Sequence, residues 1–301
     1  MLFVVLLGVL AAFLYAAAAA IQQRAARQNT RPYAAPDGST RLARVMVPLL
    51  LLARRLIRSP LWLAGWAANL VGFMAQAIAL HRGSVALVQP LLAAQLLFAL
   101  PLAAAWSRRR PTRTDWLAAS AVSGGLAIFL AVRGIAPLDA EPDRWRAFLA
   151  GMSALGLVCL LVARSAGRDP FQHAMLIATA AGVCFAMSAV LIKLTATDLV
   201  ERGVVATAFD WPGYALAAST ATGLVLEQGA FATGSLPTAV AAMTITNTVS
   251  SYTVGVLAFH AVLPTTPGAL AALAGAGALV CFGVVGLAQC QEQEEQLEET
   301  G

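Results

Sequence analysis

Apolar residues run along this chain in continuous blocks of about twenty, separated by short polar stretches rich in arginine. Twenty helical residues rise about 30 Å, the thickness of a bilayer's hydrocarbon core. Nine blocks have that length, with cores at 2–23, 61–80, 84–106, 115–133, 147–163, 172–194, 204–226, 236–259 and 267–289. None alternates with a period of two, which excludes a strand barrel. The pattern predicts an all-α polytopic membrane protein of about nine transmembrane helices. Asp210 and Pro212 interrupt the seventh block.

Two blocks admit a second reading. "AAFLYAAAAA" in the first offers small residues for signal cleavage, but no positive charge precedes it and Arg24 and Arg27 follow directly. It reads as a retained helix. "VMVPLLLLA", residues 45–53, is too short to span and is flanked by Arg41, Arg44, Arg54, Arg55 and Arg58. It reads as a helix lying on anionic headgroups; the alternative makes 41–57 a tenth span.

Composition agrees with the pattern. The chain is 59% hydrophobic and 12% charged, where a soluble domain is about half apolar and a quarter charged. In a soluble protein the net charge of +5 would suggest nucleic acid. Here the arginines sit in loops between spans and act as orientation signals, so no nucleic-acid partner is expected. Loops after the first, third and fifth spans carry fourteen Lys and Arg residues against six on the other side. Those loops are expected in the cytoplasm of a multi-pass plasma-membrane protein, with the N-terminus outside and the C-terminus inside. The tail "QEQEEQLEETG" is acidic and expected to be disordered.

The second half echoes the first. An offset of 153 aligns Pro111 with Pro264, Thr112 with Thr265, and the glycines near Gly124 with those near Gly277. Five spans separate the starts of the copies, and an odd number inverts the second. The organisation expected is a first repeat at 1–164 with a basic loop at 24–60, an inverted second repeat at 172–289, and a tail at 290–301. Inverted repeats are the usual build of secondary transporters, with the solute near mid-membrane between the halves.

The block from Leu61 to Leu130 has a Trp-Gly helix, a short polar turn, a "VQPL" helix, a basic turn and a Gly-Gly helix. It resembles the drug/metabolite transporter superfamily, of EamA-like type. Within it the chain is most similar to the NIPA-like magnesium transporters, whose first helix likewise ends in glutamine and basic residues, as "IQQRAAR" with Gln23 does here. The resemblance implies inverted helical bundles and transport, with magnesium or another divalent cation as one candidate cargo. The superfamily usually has ten helices, and its members commonly carry a glutamate after the third helix of a repeat. Here those places read "SRRRP" and "FHAVLP".

Polar residues inside the spans are the candidates for chemistry. Gln89, Pro90, Gln95 and Pro101 all lie in the third span. A proline frees a backbone carbonyl one turn earlier, tolerated where protein, polar side chains or water satisfy it. Gln95, near mid-span, is the better cavity residue; Gln89 lies toward the outer end. In the eighth span, "TITNTVSSYTVG" puts Thr244, Asn247 and Ser251 on one face. That face reads as a cavity wall, although Ser and Thr hydroxyls also bond their own backbone. Asn69 and Gln76 share a face of the second span, where interhelical bonding is the plainer role. Lys193 reads as snorkelling to the interface, or as pairing with Asp198 or Asp210, or as contacting an anionic solute. Gly151, Gly156, Gly275, Gly283 and Gly286 suit close helix packing.

No Asp or Glu lies centrally in these spans. That weakens both a proton-coupled carrier and a magnesium site. The histidines lack metal-ligand spacing, and nucleophile and phosphate-loop motifs are missing from the sequence, so no enzyme activity, cofactor or resident metal is expected. The expected partners are a small-molecule or ion substrate and the lipid bilayer, with homo-oligomerisation left open. A membrane scaffold is the non-transporting alternative: a transporter needs a polar cavity between spans three and eight, and a scaffold a packed centre.

Overall fold

The computed structural model describes residues 2–32, 38–82, 88, 91–107, 111–133, 144–259 and 266–300. Ten helices cover them: α1 (Leu2–Asn29), α2 (Arg41–Leu56), α3 (Pro60–Arg82), α4 (Gln95–Ser107), α5 (Arg113–Arg133), α6 (Arg144–Ser165), α7 (Pro170–Ala208), α8 (Trp211–Thr233), α9 (Leu236–Phe259) and α10 (Pro267–Thr300). Among the described residues there is no strand. The fold is that of a polytopic all-α membrane protein.

Local chemistry sets the helix starts. Thr112 and Asp115 form a reciprocal capping box at α5: the Thr112 N–H donates to the Asp115 carboxylate at 2.7 Å and the Asp115 N–H to the Thr112 hydroxyl at 3.2 Å. Asp169 caps α7, accepting from the Gln172 N–H at 2.8 Å, with Pro170 in the first turn. Asp210 caps α8, accepting from the Trp211 N–H at 2.8 Å, with Pro212 in the first turn.

That last cap corrects the seventh span, which is 211–233 and not 204–226. Asp210 and Pro212 do not interrupt a helix; they begin one, because a capping carboxylate and a proline without an N–H both suit the first turn. Residues 204–208 belong to the end of α7, beyond a break at Gly203, whose φ of 80° favours glycine. The shift brings Glu227, just beyond the expected end of the seventh span, inside α8 toward its C-terminal end.

The acidic tail is the last part of α10, which continues through these residues to Thr300. Their Glu, Gln and Leu side chains are good helix formers extending an existing helix. α2 has sixteen residues, about 24 Å of rise, short of a bilayer crossing. It buries Val45, Leu49, Leu52 and Leu56 on one side and exposes Arg41, Arg44 and Arg54 on the other, the pattern of an interfacial helix.

α7 is the central span: 67% of its apolar window is buried. α3, α6 and α10 instead turn Phe73, Leu155 and Phe282 outward, as lipid-facing helices do. The packing plan occurs twice. α1 packs against α3 and α4, and α7 packs against α8 and α9. α5 and α10 pack on each other, running in opposite directions: Gly283 and Gly286 of α10 meet Val122 and Ala118 of α5, while Gly125 of α5 meets Ala276 and Val280. Gly283 and Gly286 are thus close-approach residues, whereas Gly156 and Gly275 face open space.

Candidate functional site

A cavity of about 240 Å³ lies among α1, α3, α4, α7, α8 and α9. Four sequence-predicted residues line it: Asn69, Gln95, Thr244 and Asn247. The Gln95 Nε2 donates to the Thr244 hydroxyl at 3.3 Å, directly joining the third and eighth spans. Thr244 in turn donates to the Val240 carbonyl at 2.7 Å. Ser251 stands one turn away and donates to the Asn247 Oδ1 at 3.3 Å. The plainer role of hydroxyls holds beside this wall: Thr248 and Thr253 bond the Thr244 and Val249 carbonyls of their own helix.

The remaining predicted residues divide. Gln76 accepts from the Tyr15 hydroxyl at 2.5 Å, and Tyr15 lines the cavity. Gln23 donates instead to the Gly234 carbonyl at 2.9 Å, where Arg27 also donates at 2.9 Å. Its neighbour Gln22, about 100° around α1, is the one that lines the cavity. Lys193 lies outside the lining. Gln89 and Pro90 lie outside the described residues.

Sequence reasoning missed Tyr15, Gln22, Trp66 and Glu227. The Trp66 indole N–H is buried at this wall with no partner among the described residues. Glu227 matters most. It sits six residues before the end of α8, about 9 Å inside it, and lines the cavity. Among the described residues no side chain pairs with its carboxylate. Gln228 beside it donates to Gln22 Oε1 at 3.0 Å, tying α8 to α1. The signal that points to Glu227 is the Asp-Trp-Pro start of α8. The cavity thus combines one carboxylate, four amides and the aromatic rings of Tyr15, Trp66, Phe185 and Phe231. Such a set has the chemistry to hold a small polar or cationic group.

At the opposite end of these helices lies an ion network. Arg144 contacts Asp198 at 2.5 Å and Asp210 at 2.6 Å; Arg202 contacts Asp210 at 2.5 Å and Asp198 at 3.5 Å. The two aspartates considered for Lys193 are therefore engaged by arginines. The Arg202 guanidinium, with the Trp211 N–H and Arg144, holds the Asp210 carboxyl below the usual carboxylate range against the opposing effect of desolvation. A carboxyl depressed in the folded state adds stability above its unfolded pKa and loses it as pH falls through the folded value. The melting temperature is therefore expected to drop on acidification from about pH 5 to about pH 3. Asp210→Asn, which keeps the cap, is expected to show a smaller drop in the same scan.

The EamA-like transporter family matches residues 2–131. The chain carries an EamA-like transporter domain. It is also 30% identical over 228 residues to an uncharacterized protein of Corynebacterium glutamicum, covering 73% of this chain and 74% of that one, and the two belong to one family. No solved structure matches the chain. The EamA-like domain contributes Tyr15, Gln22, Trp66, Asn69 and Gln95 to the cavity; Glu227, Thr244 and Asn247 come from beyond the matched region.

Proposed function

We propose that the chain is a secondary transporter moving a small solute by alternating access between two inverted halves, with Glu227 as the cation-binding group. One observation carries this reading: a carboxylate without a pairing side chain among the described residues, at the wall of a cavity that also contains Gln95, Thr244 and Asn247. A carboxylate within a span needs a proton, a metal ion or a cationic solute to offset its charge. The polar cavity favours a carrier over a scaffold, which needs a packed centre. The antiparallel α5–α10 contact and the doubled packing plan support inversion of the halves. The arginine distribution supports a cytoplasmic C-terminus and an N-terminus outside.

A divalent cation, the NIPA-like alternative, is the second reading. Glu227 with the amide oxygens of Asn69, Gln95 and Asn247 is a set of hard oxygen donors, the kind magnesium prefers. Uptake and efflux in proteoliposomes decide between the readings, using a solute panel that includes magnesium, with and without a proton gradient. A coupled carrier moves an organic solute faster with the gradient; a magnesium pathway moves the ion without it. Gln95→Ala and Asn247→Ala are expected to slow transport severalfold at little cost in stability: the first loses one interhelical bond, about 0.6 kcal/mol, and the second only a bond to Ser251 within α9. Wild-type rates in both variants would remove the cavity from the transport path.

A further inference from the structure

A second cavity, of about 590 Å³, opens where α2 meets the turn between α6 and α7. Its charged lining is wholly basic: Arg41 and Arg44 from α2, Arg164 from the end of α6, Arg168 from the turn, and His173 from the first turns of α7. No carboxylate lines it, and among the described residues none pairs with these four arginines. The nearest acid in sequence, Asp169, is occupied in capping α7 at the Gln172 N–H. The existing bonds are to neutral acceptors: Arg44 Nε to the Ser39 carbonyl at 3.1 Å and Arg168 to Gln172 Oε1 at 3.5 Å. The His173 Nδ1 stands 3.1 Å from the Ser165 carbonyl, which turns the ring at the cavity's edge.

We propose that this cavity binds a phosphate group, supplied by the headgroup of an anionic phospholipid. Four guanidiniums drawn from three separate segments repel one another, and a shared anion offsets that repulsion. Guanidinium forks match phosphate oxygens in geometry. The lipid source follows from position. The cavity lies on the arginine-rich face, at the ends of spanning helices, where headgroups lie. α2 beside it exposes Leu42, Leu50 and Leu51, which suits contact with acyl chains. Basic pockets between helices at this level are a recurrent form of headgroup site. The inference is independent of the transport cavity.

The test uses the full chain in detergent, with thermal unfolding and native mass spectrometry as readouts. Short-chain phosphatidylglycerol, short-chain phosphatidylcholine and inorganic phosphate are added separately. Phosphatidylglycerol is expected to raise the melting temperature and remain bound, and phosphatidylcholine to do neither. Arg44→Gln with Arg168→Gln, both exposed positions, is expected to weaken phosphatidylglycerol about fivefold per arginine while leaving the lipid-free melting temperature unchanged. Arg54→Gln with Arg58→Gln, basic residues of the same face outside the cavity, is the control and is expected to keep wild-type affinity. Equal stabilisation by inorganic phosphate would support the phosphate site and assign it a soluble ligand. Unchanged affinity in the cavity variant, equal loss in the control, or equal binding of phosphatidylcholine would each overturn the proposal.

Discussion

Glu227→Gln is expected to abolish cation-dependent transport in proteoliposomes while leaving the fold intact. Glutamine is nearly isosteric and keeps an acceptor oxygen, but it cannot carry the charge that a cation compensates. A charge-assisted contact supplies about 1.5–3 kcal/mol, so its loss weakens cation binding about 10- to 100-fold. The carboxylate has no pairing side chain among the described residues, so its neutralisation leaves no stranded arginine, and the melting temperature should hold or rise. Glu227→Asp keeps the charge on a shorter stem and should retain part of the activity. Transport by Glu227→Gln at the wild-type rate, with the same response to a proton gradient, would end the role assigned to this group.

The largest stability loss is expected at the α5–α10 crossing. A Cβ added to Gly283 would stand 2.5 Å from the Ala118 carbonyl oxygen and 2.5 Å from Val122 Cγ2. The first obstacle is backbone, which cannot swing aside as a side chain does. Gly283→Val must therefore push the helices apart, with a loss of about 1–3 kcal/mol or more. Gly156→Val on α6 faces nothing within 4 Å and should unfold at the wild-type temperature. Thermal unfolding of the two purified variants side by side checks both. Equal melting temperatures would mean that α5 and α10 are not held in this contact.

Spans, class and much of the cavity wall are legible in the sequence, for physical reasons. Hydrocarbon demands about twenty apolar residues per crossing, so length alone marks most helices. Polar side chains at mid-span are conspicuous against that background, which is why Asn69, Gln95, Thr244 and Asn247 stand out without any knowledge of their convergence. Rotation about a helix is less legible. Gln22 and Gln23 are adjacent in sequence, yet one faces the cavity and the other bonds Gly234. Only the neighbours of α1 decide between them. Glu227 is hidden by a boundary. Reading Asp210 and Pro212 as an interruption rather than a start moves the seventh span toward the N-terminus, and the one cavity carboxylate falls outside it. The aromatic rings are hidden for another reason: Tyr15, Phe185 and Phe231 look the same in sequence whether they meet lipid, core or cavity.

The single carbonyl of Gly234, gripped by both Gln23 and Arg27 at the end of α8, works as a clasp between the two ends of the chain's fold. With the neighbouring Gln22–Gln228 bond, it fastens the first helix to the eighth on the side nearest Glu227. Any movement that parts those two helices there has to break all three hydrogen bonds, at a net cost of about 1 kcal/mol each.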